Sequence, residues 1–277
     1  MKLISRCVTP AEAGVQSRTP WIPAFAGMTA GFLLAGSLIL SVSPVQAKTL
    51  KKGKTATDDT LQQADQTWQK RDQPLQTETA IALWERALQL HPERTDLYIS
   101  LTKACGRAYR QSSDTKHRRF WADEARSYGA KAVEKNPSKP EAYAENAAAL
   151  GQWAQSHKGI GSLKIVKQAV AQLQKAIELD PHFAFAHMLL AQFYQQSPAM
   201  FSIGDKTKAL EQAKLAVEDD GNSSINRLTL GKIYLDHGDK TAAKEQLEKA
   251  VALTPPPDRI PETKSDQDDA RDLLKHL

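Results

Sequence analysis

One helical ending recurs five times along this chain, and it restricts what the chain can fold into. It reads Ala80, Trp84, Ala87 and Pro92, then Ala125, Gly129, Ala132 and Pro137, then Ala169, Leu173, Ala176 and Pro181. Ala209, Ala213, Ala216 and Gly221 repeat it with glycine as the breaker, and Ala243, Leu247, Ala250 and Pro255 close the series. Steps of four and then three place the first three residues of each set on one face of a helix. Two small residues on that face let a second helix cross closely, and the proline forbids further helix. The anchor alanines 87, 132, 176, 216 and 250 lie 45, 44, 40 and 34 residues apart. A single hairpin of this kind cannot bury its own apolar faces, so the units must stack on one another. No segment alternates strictly enough to suggest a sheet.

The shortest unit, Ser224 to Pro257, shows the pattern without insertions over 34 residues. Leu230, Gly231 and Tyr234 mark its first helix, His237-Gly238-Asp239 its turn, and Ala243, Leu247 and Ala250 its second helix. Gly231 has no Cβ to hold the two backbones apart. This order of small, large and breaking residues resembles a tetratricopeptide repeat. The resemblance implies an all-α, right-handed α-solenoid of about five helix hairpins. The wider spacing upstream predicts insertions between paired helices, at QSSDTKHRR, SHKGIGS and SPAMFSIGD. Ser265 to Asp268 reads as a capping box opening a last helix, whose Ala270, Leu273, Leu274 and Leu277 would cap the array.

The apolar run AGFLLAGSLILSVS at residues 30 to 43, followed by Val45-Gln46-Ala47, reads as a secretory signal with a small-residue cleavage site. The stretch ahead of it, residues 8 to 29, looks like a translated dispersed repeat element of proteobacterial genomes. A start at Met28 and a retained membrane anchor are the competing readings of this leader. The expected organisation is a leader at 1–47, a basic tail at 48–57 and a helical-repeat domain at 58–277. The net charge of +5 loses +2 with the leader (Lys2, Arg6 and Arg18 against Glu12), leaving +3. That is too mild for a nucleic-acid partner. Cys7 lies in the leader, so Cys105 would stand alone and form no internal disulfide or zinc framework.

Other candidate motifs read as structure. Gly159-Ile160-Gly161 lacks the strand and Gly-Lys-Ser/Thr ending of a phosphate loop, so it is a turn. His182 and His187, five apart, splay around a helix instead of sharing a metal-binding face. Glu218 to Asn222 lacks the alternate-oxygen spacing of a calcium loop. Lys116-His117-Arg118-Arg119 reads as a solvated helix start, with an anion or membrane-surface contact as its functional alternative. Cys105 and the tryptophans Trp84, Trp121 and Trp153 read as packing residues. No catalytic residue, metal ligand or cofactor is assigned.

The segments KAVEKNP, LGQWAQSHKGI, LKIVKQAVAQLQKAIELDP, LLAQFY and LGKIYLDHGDKTAA follow one another from about residue 131 to 243. Together they resemble the tetratricopeptide-type domain of the regulator of microtubule dynamics family. A second resemblance is to the periplasmic T component of tripartite ATP-independent transporters, another irregular helical-repeat protein. These imply two function classes. The first is a non-catalytic periplasmic scaffold holding a peptide or protein segment in a concave groove. The second is a transporter-associated component binding an apolar small molecule. Microtubule binding is not carried over to a secreted bacterial chain. The groove is expected to be apolar at Phe185, Met188, Gln192, Ile225, Leu228 and Lys232, and basic at Lys103 and Arg107. An amphipathic or acidic-ended segment would suit it, unless SPAMFSIGD folds across and buries those side chains.

Overall fold

A computed structural model describes residues 56–157, 159–197 and 203–277. The expected signal sequence, most of the basic tail, and Met200 and Phe201 lie outside the described residues. The described chain folds into helices alone. They are α1 (Ala56–Gln69), α2 (Gln76–Leu90), α3 (Leu97–Gln111), α4 (Thr115–Lys135), α5 (Pro140–Ser156) and α6 (Ile160–Leu179). Then follow α7 (Ala184–Gln196), α8 (Lys206–Asp219), α9 (Ser224–Asp236), α10 (Lys240–Ala252) and α11 (Ile260–Leu274). Consecutive helices pair into five hairpins, and α11 packs on α9 and α10. The result is an α-solenoid whose inner layer is built from first helices, with α3 against α5, α5 against α7 and α7 against α9.

The recurrent ending explains the stacking. Ala80, Ala87, Ala125, Ala132, Ala169, Ala176, Ala209, Ala216, Ala243 and Ala250 are all buried, each under a crossing helix. A Cβ on Gly231 would stand 2.9 Å from the Leu247 side chain, and one on Gly129 would stand 2.7 Å from Asn146 Oδ1. Both glycines therefore set how closely two helices approach. Gly238 makes the tight turn between α9 and α10 at φ 79°. The cores overlap from hairpin to hairpin. One joins α1 to α5, another α5 to α9, a third α7 to α9, and a fourth joins Leu228, Leu247, Ala250 and Ala270 around Leu273, Leu274 and Leu277. Such a chain is held by neighbour contacts, as stacked repeats are.

Two boundaries differ from the sequence reading. The first two insertions are absorbed in part into helices, leaving Ser112 to Asp114 and the step from Ser156 to Ile160 as short connections, and Ile160 and Gly161, expected in a turn, open α6 instead. Asp114 caps α4 by accepting the His117 backbone N–H at 2.9 Å, so the run Lys116 to Arg119 is helical and exposed. The helices α4 and α6 reach 21 and 20 residues, against 14 and 13 for α8 and α10. The second difference concerns α11, which opens at Ile260 with Pro261 in its first turn. Proline suits that position because its missing N–H would be unpaired there anyway. Ser265 is therefore an exposed mid-helix residue and not a cap.

Candidate functional site: the inner helical face

The residues expected to line a groove divide into two groups. Met188, 3% exposed, belongs to the core between α5 and α8, and Leu228, 1% exposed, packs against Leu247 and Ala270. Phe185 and Ile225 are half-buried against those cores, and Gln192 donates to Thr229 Oγ1 at 3.3 Å across α7 and α9. Met188 and Leu228 are thus interior and not groove residues, while Phe185, Gln192 and Ile225 keep part of their surface in water. The burial of two faces of each first helix explains it. In a stacked array the first helix contacts its own partner and both neighbours, so two of its faces are buried, and Met188 and Leu228 occupy the second. Lys103 and Lys232 are exposed, and Arg107 is half-buried.

The polar residues are what the structure brings together. The inner layer curls until α11, next in line after α9, reaches α3 and the corner between α1 and α2. There Arg71, only 2% exposed, donates through Nε to Glu262 Oε1 at 2.8 Å and through Nη2 to Glu262 Oε2. It also donates to the carbonyls of Trp68 and Asp258, and its guanidinium lies 4.8 Å from the Trp68 ring centroid. Arg107 Nη1 reaches Glu262 Oε1 at 2.7 Å from the other side. The Arg71 carbonyl is braced in turn by Arg107 Nε, by Gln111 Nε2 at 2.9 Å and by the Thr77 hydroxyl. One carboxylate therefore sits in a fork of two guanidiniums, the geometry that makes arginine–carboxylate pairs strong.

Charge continues along this face. Arg110 of α3 lies in the field of Glu145 on α5 and of Glu262 and Asp266 on α11. Surrounding protein desolvates Arg110 and lowers its pKa, those three carboxylates opposing the shift, while water still reaches the side chain. Burial lifts the Glu145 carboxyl above the usual range against the pull of Lys103 and Arg110. Burial likewise lifts Asp266, although it accepts from the Ser224 hydroxyl at 2.6 Å. For Glu262 burial pushes upward too, but Arg71 and Arg107 outweigh it and hold the carboxyl below its ordinary value. Lys232 completes the inner contacts of α11 through Asp269 at 3.2 Å.

A family model described as regulator of microtubule dynamics protein 1-3 matches residues 60–277. The chain belongs to this family. The regulator of microtubule dynamics match thus runs from within α1 through the remaining helices to the end of α11. Among solved structures, TTC0263, a thermophilic TPR protein in Thermus thermophilus, is 18% identical with a TM-score of 0.61. That alignment covers 79% of this chain and 100% of that one, and it shows the shared tetratricopeptide fold. The yeast Tom70 structure is 17% identical with a TM-score of 0.48, covering 79% of this chain and 40% of that one. YrrB, described as a TPR protein with an unusual peptide-binding site, is 17% identical with a TM-score of 0.41, covering 80% and 98%. No curated protein sequence matches the chain.

Two further sites resolve as structure. Cys105 is buried in the core of α1 to α5, and burial pushes its thiol well above the ordinary value, which leaves it unreactive. His182 precedes α7 instead of lying in it, so it does not splay from His187 around one helix. Both imidazoles approach Asp219, at 2.8 and 3.8 Å, and buried His187 also meets Gln212 Oε1 and the Pro181 carbonyl. Among the described residues no cluster of three or more His, Cys, Asp or Glu could hold a metal ion, and no helix is long and apolar enough to cross a membrane. Sequence reasoning missed Arg71, Arg110, Glu145 and Glu262. Local periodicity could not find them, because their meeting depends on how far the solenoid curls.

Proposed function

We propose that this chain is a non-catalytic scaffold of the bacterial periplasm whose inner face holds an acidic helical segment of another protein. The reading rests on one observation. Arg71 and Arg107 grip a single helix-borne carboxylate, Glu262, beside the further inward-facing cations Lys103 and Arg110. A face that recognises an acidic helix edge so completely suits a partner helix of the same chemistry, by the helix-in-groove mode with charge in place of apolar anchors. Lys103 and Arg110 belong to this face but not to the grip on Glu262, so they separate partner binding from architecture.

The test uses a photo-crosslinking side chain at position 103 in the native host, with the cross-linked periplasmic species identified by mass spectrometry. A protein partner carrying an acidic helix is the expected product. Arg110→Glu should cut its yield at least tenfold at a temperature where circular dichroism shows the variant still folded. Cross-linking that is indifferent to Arg110→Glu would refute the acidic-partner reading. Edman sequencing of the mature protein should begin at Lys48. An intact Met1 or Met28 in a membrane fraction would refute the location.

A further inference from the structure

The contacts that α11 makes change in character along its length, and the change divides that helix in two. Beyond Gln267, the helix is seated mainly by apolar side chains, with Ala270, Leu273, Leu274 and Leu277 packed on Leu228, Leu247 and Ala250, and its ion pair to the last hairpin, Asp269 with Lys232 at 3.2 Å, is exposed. Gln267 itself is buried, and its Nε2 donates to the carbonyls of Val251 and Leu253 at 3.0 and 2.7 Å, tying the middle of α11 to the end of α10. Ahead of Gln267, the helix is held through charge and hydrogen bonds, by Glu262 in the arginine fork and Asp266 on Ser224. Ile260 in that first turn is exposed. Upstream run Pro255, Pro256 and Pro257, which have no N–H to donate and cannot extend α11 backwards.

We propose that the first half of α11 is a resident competitor for the inner face. Its acidic edge, led by Glu262, fills the arginine site that the partner's acidic helix takes, and the partner enters as residues 260–266 lift about Gln267. This rests on the acidic-segment reading above. Lifting that half exposes one buried threonine, Thr263, and ionic groups that water solvates well, while the leucines beyond the pivot stay in place. The last hairpin therefore keeps its cover whether the clasp is closed or open. The vacated site presents Arg71 and Arg107 beside Lys103 and Arg110, which Glu145 and Asp72 offset only in part, so the face stays net positive and favours an incoming carboxylate. A resident segment that holds the competent state at low population weakens the apparent affinity for a partner by that population, so loosening it must tighten binding.

The experiment uses the full chain and a fluorescein-labelled peptide copying residues 258–270. Peptide binding by anisotropy should be at least tenfold tighter to the Glu262→Gln chain than to the wild type. A peptide carrying its own Glu262→Gln change should bind at least tenfold more weakly than the natural one. Amide exchange should quicken at 260–266 in the Glu262→Gln chain and stay unchanged at 268–274. If the Glu262→Gln chain fails to fold, the unaltered wild type decides, since saturating peptide should speed exchange at 260–266 there too. Exchange that ignores the peptide overturns the proposal. Equal affinity for both chains leaves the inner-face reading standing and overturns competition. Faster exchange at 260–266 with no peptide bound to either chain overturns the inner-face reading and the competition together.

Discussion

The last helix is held to the solenoid by two kinds of contact, and the contrast between them shows what each can do. Toward the last hairpin, α11 buries Ala270 and leans Leu273, Leu274 and Leu277 on Leu228 and Leu247. The core of that seam is apolar and tolerant of small rotations, because burying apolar area is non-directional, and its polar contacts, Ser224 with Asp266 and exposed Lys232 with Asp269, lie at the edge. Toward the first two hairpins, α11 offers one carboxylate to two guanidiniums across 191 and 155 positions of sequence. That contact is directional and depends on the charge of both partners. The seam makes α11 part of the array, and the clasp makes its attachment to the far end conditional.

The comparison breaks most sharply at Leu228. A carboxylate there would be buried among the apolar side chains of Leu247, Ala250 and Ala270. Leu228→Asp should unfold the last hairpin and α11 or lower stability by several kcal/mol, because a buried unpaired charge is costly. Circular dichroism melts would show it. A stable Leu228→Asp protein would mean that the residue faces the inner groove after all.

A smaller effect belongs to the clasp. Arg71→Gln removes the buried half of the fork and leaves Glu262 with Arg107 alone. The cost should be about 1.5–3 kcal/mol, the range for hydrogen bonds to charged groups. In the wild type that contribution should shrink as sodium chloride is raised, whereas the penalty of an apolar change such as Leu273→Ala should not. Equal salt dependence in both variants would erase the distinction drawn between the two contacts.

The smallest effect is a pH profile with two limbs. Glu145 and Asp266 have folded pKa values above their ordinary ones, so their burial penalty is relieved, and stability rises, as pH falls through those raised values. Glu262 has a folded pKa below its ordinary one, so its contribution is present above the ordinary glutamate value and is lost as pH falls from there through the lowered value. Melting temperature should therefore climb slightly on mild acidification and then drop. Glu145→Gln should flatten the climb and leave the drop, and Glu262→Gln should do the reverse. Identical profiles for the two variants would show that neither carboxyl titrates as its surroundings dictate.

Much of the architecture was legible in the chain itself. Alanines spaced by four and three, a breaker after each set, and Gly231 opposite Leu247 encode hairpins that must stack, because these are local rules of helix periodicity, side-chain size and backbone freedom. The cover that Leu273, Leu274 and Leu277 give the last hairpin followed from the same rules. The inner face did not follow. Met188 and Leu228 read as groove residues because a single helix shows one apolar stripe, and the sequence does not say how much of that stripe the neighbouring hairpins bury. Whether Arg71 would meet Glu262 depends on superhelical curl, a small rotation per hairpin summed over five of them and altered by the lengths of α4 and α6. Periodicity is a property of a few consecutive residues, whereas curl accumulates over the whole array, so only the tertiary structure could decide that the two ends join through charge.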